Sequence, residues 1–146
     1  MGSNDLKLMV DYCLKDPEII KELEQFKSLD IKTTIECGYR QNATDKTLIW
    51  TGTIAQDRIL LTRDFQTIDE HKFTPCRHGG VIIIHHRRPD ANVVRSYMKA
   101  FLQSGIRKYA KNHVSHLKRD GARIVTHKEP QVCNYNENPN LRKITK

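Results

Sequence analysis

Apolar positions fall into two rhythms along the chain, and their order predicts alternating strands and helices. Leu6 to Tyr12 (LKLMVDY) is a short apolar run interrupted by charge at Asp11, which reads as a buried strand. Asp16 can cap the segment that follows, with Pro17 at the first helical position, where its missing N–H costs nothing. Ile19, Ile20, Leu23, Phe26 and Leu29 then mark one face at helical spacing. IKTTIECGY, closed by Gly38, is a second strand, and RQNATD supplies turn chemistry. Thr44 can cap a second helix with Asp45 in its first turn, running through Leu48, Ile49, Trp50, Ile54 and Ala55 to about Gln56.

RILLTRD, residues 58–64, is the third strand. A short helical piece from Thr67 to Lys72 and a loop with Pro75 and Gly79-Gly80 lead to GVIIIHH, an unbroken apolar run that fits a strand covered on both faces. Pro89-Asp90 opens a long amphipathic helix marked by Val93, Val94, Tyr97, Met98, Phe101 and Leu102 and ended by Gly105. Beyond it the pattern weakens to a basic helical segment from Ile106 to Lys118 and a strand at ARIVTH.

The order β-α-β-α-β-α-β-α, joined by right-handed crossovers, predicts an α/β fold, a three-layer α/β/α sandwich with a mostly parallel sheet. At 146 residues the chain is expected to form one domain over residues 1–129, with a core at 6–104 and a basic extension at 106–129. Residues 130–146, rich in Asn and poor in large apolar groups, are expected to be loosely ordered.

Composition alters this picture in two places. No 18-residue apolar run exists, and Met1-Gly2-Ser3-Asn4 lacks the charged region and apolar stretch of a secretion signal, so a cytoplasmic setting without a membrane span is expected. Cys13, Cys37, Cys76 and Cys133 are widely spaced and form no CxxC pair, which argues for reduced thiols, with Cys13 and Cys37 near strand ends. Cys76, His78, His113 and His116 lack the spacing of a zinc finger. The net charge of +8 is unevenly spread: between His85 and Arg123, ten Lys or Arg stand against only Asp90 and Asp120. A concentrated basic surface points to a polyanion, and RNA is the expected partner.

Ligands of open parallel sheets sit at the carboxyl ends of the strands. Asp11 ends the first strand, Asp64 ends the third, and Asp45 opens the helix after the second, so three carboxylates are expected at one edge. Such a group repels itself unless a cation intervenes, and hard oxygen ligands suit Mg²⁺ or Mn²⁺. A metal held there can lower the pKa of a bound water and neutralise charge on a phosphodiester. Thr62 either orients Asp64 through its hydroxyl or is an ordinary β-branched strand residue. Arg87 and Arg88, after the fourth strand, are the first candidates for phosphate contacts. Arg63, Arg95, Lys99, Arg107 and Lys108 are further RNA-binding candidates, with Tyr109 available for stacking. Only one of His85 and His86 can face the pocket, because strand side chains alternate, and neither is assigned to catalysis.

The segments ATDKTLIWTGTIAQDRILLTRDF and HGGVIIIHHRRPDANVVRSYMKAFL resemble the PIN-domain superfamily, in particular its small members, over residues 6–104. The resemblance implies a Rossmann-like sandwich and a Mg²⁺- or Mn²⁺-dependent ribonuclease, often the toxin of a toxin–antitoxin pair and so a partner of a protein antitoxin, with homo-oligomers within its range. Its acidic positions match Asp11, Asp45 and Asp64. Related sequences often carry another acid soon after the position of Asp64, where this chain has Phe65 and Gln66, with Asp69 and Glu70 further on. That departure leaves a non-catalytic RNA-binding or protein-binding module on a degenerate fold of this type as the alternative.

Overall fold

The computed structural model describes residues 6–43, 47–63, 79–104, 107–108, 110–118 and 121–125. Six strands form one sheet: β1 (Leu6–Val10), β2 (Leu29–Thr33), β3 (Ile59–Thr62), β4 (Val81–Ile84), β5 (Val114–Lys118) and β6 (Gly121–Val125), in the order β2-β1-β3-β4-β5-β6. The first five are parallel, and β6 pairs antiparallel with β5. Helices α1 (Pro17–Glu24) and α3 (Ala91–Gln103) lie on one face, and a π-type turn at Thr47–Gly52 running into the short α2 (Thr53–Ala55) lies on the other, making the α/β/α sandwich expected.

Alternation along the strands divides the core. Leu8, Val10, Ile59, Leu61, Ile82 and Ile84 pack with Ile19 and Leu23 of α1 and Val94, Met98 and Phe101 of α3. Met9, Leu60, Val81, Ile83 and Val114 pack with Leu48 and Ile49 of the π-type turn. Side chains along β3 and β4 are buried on both faces, which is why their sequences are apolar without interruption. Both long helices start on a side-chain cap: Asp16 accepts from the Glu18 N–H at 2.9 Å ahead of Pro17, and Asp90 accepts from the Val93 N–H at 2.9 Å.

Several boundaries differ from the sequence reading. α1 ends at Glu24, and Leu29 belongs to β2 rather than to the helix. β1 stops at Val10 because Asp11 caps a 3₁₀ turn over Tyr12–Leu14. β2 stops at Thr33, whose hydroxyl accepts from the Glu36 N–H (3.1 Å) while Glu36 accepts from the Thr33 N–H (2.9 Å), a reciprocal pair that starts a turn through Cys37 and Gly38. The segment expected as a basic helix to Lys118 instead ends in β5. Ala110, Val114 and Leu117 stand at helical spacing, but β5 is buried on both faces, so its apolar positions show no strand alternation. The second expected helix is described only from Thr47; its start, the piece at Thr67–Lys72 and the tail lie outside the described residues.

The connections carrying α1 and α3 step in opposite directions across the sheet yet cover the same face, so the two crossovers have opposite hand. Uniformly right-handed connection, expected from the βαβ pattern, does not hold. The chain on either side of α3, residues 85–90 and 104–113, is long enough to carry it around that way.

Two contacts set where β4 begins. The Thr53 hydroxyl donates to Ile49 O (2.6 Å) and accepts from the Gly79 N–H (2.8 Å), and a Cβ on Gly79 would lie 2.7 Å from Thr53 O. Gly80, at φ +125°, would bring a Cβ within 2.6 Å of Ala110 O, so glycine is required twice in succession. At the amino edge Arg58 is almost fully buried; it donates to Leu8 O (3.1 Å) and Asp30 O (2.9 Å) and pairs with the Asp30 carboxylate at 3.1 Å, tying β1, β2 and β3 together.

Candidate active site at the carboxyl edge

The strand order places β1 between β2 and β3, with the chain leaving β1 to one side and returning past it on the other. Asp11 stands at this switch point, directly after β1. Its N–H donates to Leu61 O at 2.9 Å, so the residue extends the β1–β3 ladder by one step. Both carboxylate oxygens are held: Oδ1 accepts from the Tyr12 N–H (2.7 Å) and Oδ2 from the Thr62 hydroxyl (2.7 Å). Each oxygen carries a second lone pair, so a carboxylate fixed in this way can still accept a cation.

Thr62 is fully buried, and its hydroxyl serves Asp11. No spacing in the sequence points to that contact, which joins residues 51 positions apart. The Cys13 sulfur lies 3.5 Å from the same hydroxyl. Burial pushes the Cys13 thiol pKa up and the Asp11 charge pushes it further, while hydrogen bonds from the Arg63 backbone and Thr62, together with the Arg63 charge, act the other way. Cys13 and Cys37 are free thiols near the ends of β1 and β2, as expected. Tyr12 meets Lys15, whose ammonium donates to the phenol oxygen at 2.7 Å and lies 4.1 Å from the ring centre.

Of the three expected carboxylates, Asp45 and Asp64 lie outside the described residues, as do Asp69 and Glu70. Among the described residues no three His, Cys, Asp or Glu side chains converge in a way that could hold a metal, and Cys76 and His78 of the disfavoured zinc set are not among them.

The basic candidates divide by location. Arg63 donates to Arg87 O at 3.1 Å, which brings Arg63, Arg87 and Arg88 together on the edge that carries Asp11. Arg95 lies on the helical face, where it pairs with Glu22 of α1 at 3.7 Å; with Lys99, Gln25, Phe26 and Ser96 it lines a groove of about 420 Å³ between α1 and α3. Arg107 and Lys108 precede β5 and therefore lie toward the opposite, amino edge, as does Lys111, which pairs with Asp57 at 3.7 Å.

The two histidines after β4 part company. His85 turns to the α2 face, where its Nε2 meets Nδ1 of the buried His116 at 2.5 Å. His86 turns away, accepting from the Arg88 N–H at 3.2 Å, with its ring edge-on to Tyr97 of α3. Register aligns Val10 with Leu61, Thr62 with Ile83 and Ile83 with His116, so Asp11, Thr62, Ile83 and His116 form one row across four strands. No helix among the described residues is long and apolar enough to cross a membrane. Comparisons of the whole chain with family models, with curated proteins and with solved structures give no match, so the reading of this edge stands on its chemistry.

Proposed function

We propose that the protein is a metal-dependent endoribonuclease that hydrolyses RNA phosphodiester bonds at the carboxyl edge of its sheet. The observation that carries this reading is the Asp11 carboxylate, fixed through both oxygens at the switch point on the edge where Arg63, Arg87 and Arg88 gather. Asp11, Asp45 and Asp64 would hold Mg²⁺ or Mn²⁺, which supplies charge neutralisation at the phosphodiester and a water of lowered pKa. Hard oxygen donors match those ions, and Asp64 follows the anchoring Thr62 by two positions in the sequence. The arginines contribute bidentate contacts to the RNA backbone. In this reading the protein is a PIN-like domain of the small toxin type, working in the cytoplasm and controlled by a protein antitoxin.

The experiment is cleavage of a labelled RNA by purified protein in Mn²⁺, set beside Asp11→Asn and Asp64→Asn. Loss of cleavage in both variants supports the reading; cleavage at the wild-type rate by either removes that residue from the site. A second reading, a non-catalytic RNA-binding or protein-binding module, is favoured by one observation: Phe65 and Gln66 stand where related sequences often carry a further acid. It expects RNA affinity that survives both substitutions and falls steeply with salt, with no metal-dependent cutting.

A further inference from the structure

Helices α1 and α3 each follow a parallel strand, so both start at the carboxyl edge and run side by side toward the amino edge. Their packed faces are apolar, but the flanks above the seam are polar and charged. On α1, Glu18, Glu22 and Gln25 stand at helical spacing, and on α3, Asn92, Arg95, Ser96 and Lys99 do the same. Between these flanks lies the groove of about 420 Å³ beside Arg95 and Lys99. A second groove, of about 450 Å³, lies toward the helix starts beside Glu18, Lys21 and Asp90. Both are lined by Glu22 and Gln25, so they join into one trough.

The trough is bipolar. Near the carboxyl edge Glu18, Glu22 and Asp90 stand against Lys21, although one Asp90 oxygen is engaged in capping α3. Toward the amino edge Arg95 and Lys99 face only Glu22. Pairing within the trough does not cancel these charges. Arg95 Nε lies 3.7 Å from Glu22, longer than a hydrogen bond, and Glu18, Lys21 and Lys99 make no ion pair among the described residues. Glu22 Oε1 is shielded from solvent yet has no hydrogen-bond donor among the described residues. A carboxylate left short of donors at the joint of two grooves is a costly arrangement, and a cation brought beside it supplies the missing charge.

We infer that the trough is a docking site for a short extended peptide of a partner protein, basic at the end near the carboxyl edge and acidic at the other. Charge complementarity carries the assignment. The basic side chains meet Glu18, Glu22 and Asp90, the acidic ones meet Arg95 and Lys99, and Phe26 offers an apolar contact beside the acidic end. Asp90 and Lys99 are nine positions apart, about 13 Å along the helix at 1.5 Å per residue. An extended peptide covers that distance in about four residues. RNA fits less well, because its uniformly anionic backbone would meet three carboxylates in half of the trough. A second copy of the chain would set one concave seam against another. The assignment stands apart from the nuclease reading, since none of these residues belongs to the edge site of Asp11.

The test uses three blocked hexapeptides titrated into the full chain and followed by amide chemical shifts. One carries two lysines, two leucines and two glutamates in that order; the other two replace the glutamates by lysines, or the lysines by glutamates. The mixed peptide is expected to bind at least about tenfold more tightly than either uniform one, with the largest shifts along α1 and α3. Arg95→Glu with Lys99→Glu makes the trough acidic throughout and should transfer the preference to the all-lysine peptide. Glu18→Lys with Glu22→Lys should transfer it to the all-glutamate peptide. A preference gained by a variant also shows that the variant is folded. Equal binding of the three peptides, shifts away from α1 and α3, or an unchanged preference in both variants overturns the assignment. So does a loss of oligouridylate affinity in place of peptide affinity, which would give the trough to RNA, or a doubled mass in sedimentation that either variant abolishes, which would give it to a second copy. Failure of wild-type protein to cleave RNA would sink the nuclease reading and leave the trough untouched.

Discussion

Asp11 and Thr62 couple the ends of two strands through a single hydrogen bond to a carboxylate. Thr62→Val keeps the shape of a fully buried side chain and removes only the hydroxyl. It is expected to cost about 1–2 kcal/mol in urea unfolding, and the loss should be non-additive with that of Asp11→Ala, because each substitution removes one partner of the same hydrogen bond. A full and additive penalty for each would show that the bond contributes nothing. The Cys13 thiol gives an independent probe. Its pKa is raised first by burial and then by the Asp11 charge, so the thiolate is scarcer than in an ordinary cysteine at the same pH. Asp11→Asn removes the second cause only, so alkylation of Cys13 by iodoacetamide at pH 8 should quicken, and an unchanged rate would show that the Asp11 charge does not reach the thiol. Asp11 itself was legible in the sequence as a charge ending an apolar run. Its partner was not: Thr62 reads as an ordinary β-branched strand residue, and the His85–His116 contact spans 31 positions, a distance over which no local pattern carries information.

At the scale of elements, the helices whose ends are chemically marked were the readable ones. Asp16-Pro17 and Asp90 start α1 and α3 where their caps say they should, because capping is a local interaction. β3 and β4 were legible as apolar runs for the same local reason, since burial on both faces leaves no polar positions to confuse the pattern. β5 was not, because Val114-Ser115-His116-Leu117 owes its strand form to β4 on one side and β6 on the other. The hand of the α3 crossover was equally out of reach, being a property of the path and not of any residue. The start of β4 offers a direct check. Gly80→Ala would force a side chain into the left-handed region and against Ala110 O, and should lower stability by about 1–3 kcal/mol, read as a shift in the urea midpoint without a change in slope.

For the whole molecule, charge is distributed by edge. Arg63, Arg87 and Arg88 share the edge with Asp11, whereas Arg107, Lys108 and Lys111 lie toward the other. Alanine at Arg63, Arg87 and Arg88 together should weaken RNA binding and reduce the slope of log K against log salt by about 0.7 for each single-strand phosphate that is no longer neutralised; the same change at Arg107 and Lys108 should alter it less. A larger effect from the second pair would relocate the RNA path to the amino edge. Below the site, β1 is paired on both sides, and Leu8, Met9 and Val10 have no exposure. The Tyr12 N–H just above them is held by a side chain instead of a neighbouring strand. In deuterium oxide the amides of β1 should therefore exchange only when the entire chain opens, while Tyr12 exchanges through a far smaller local fluctuation. One peptide unit beyond a strand paired on both sides, the chain carries its own reporter of whether the carboxylate is in position.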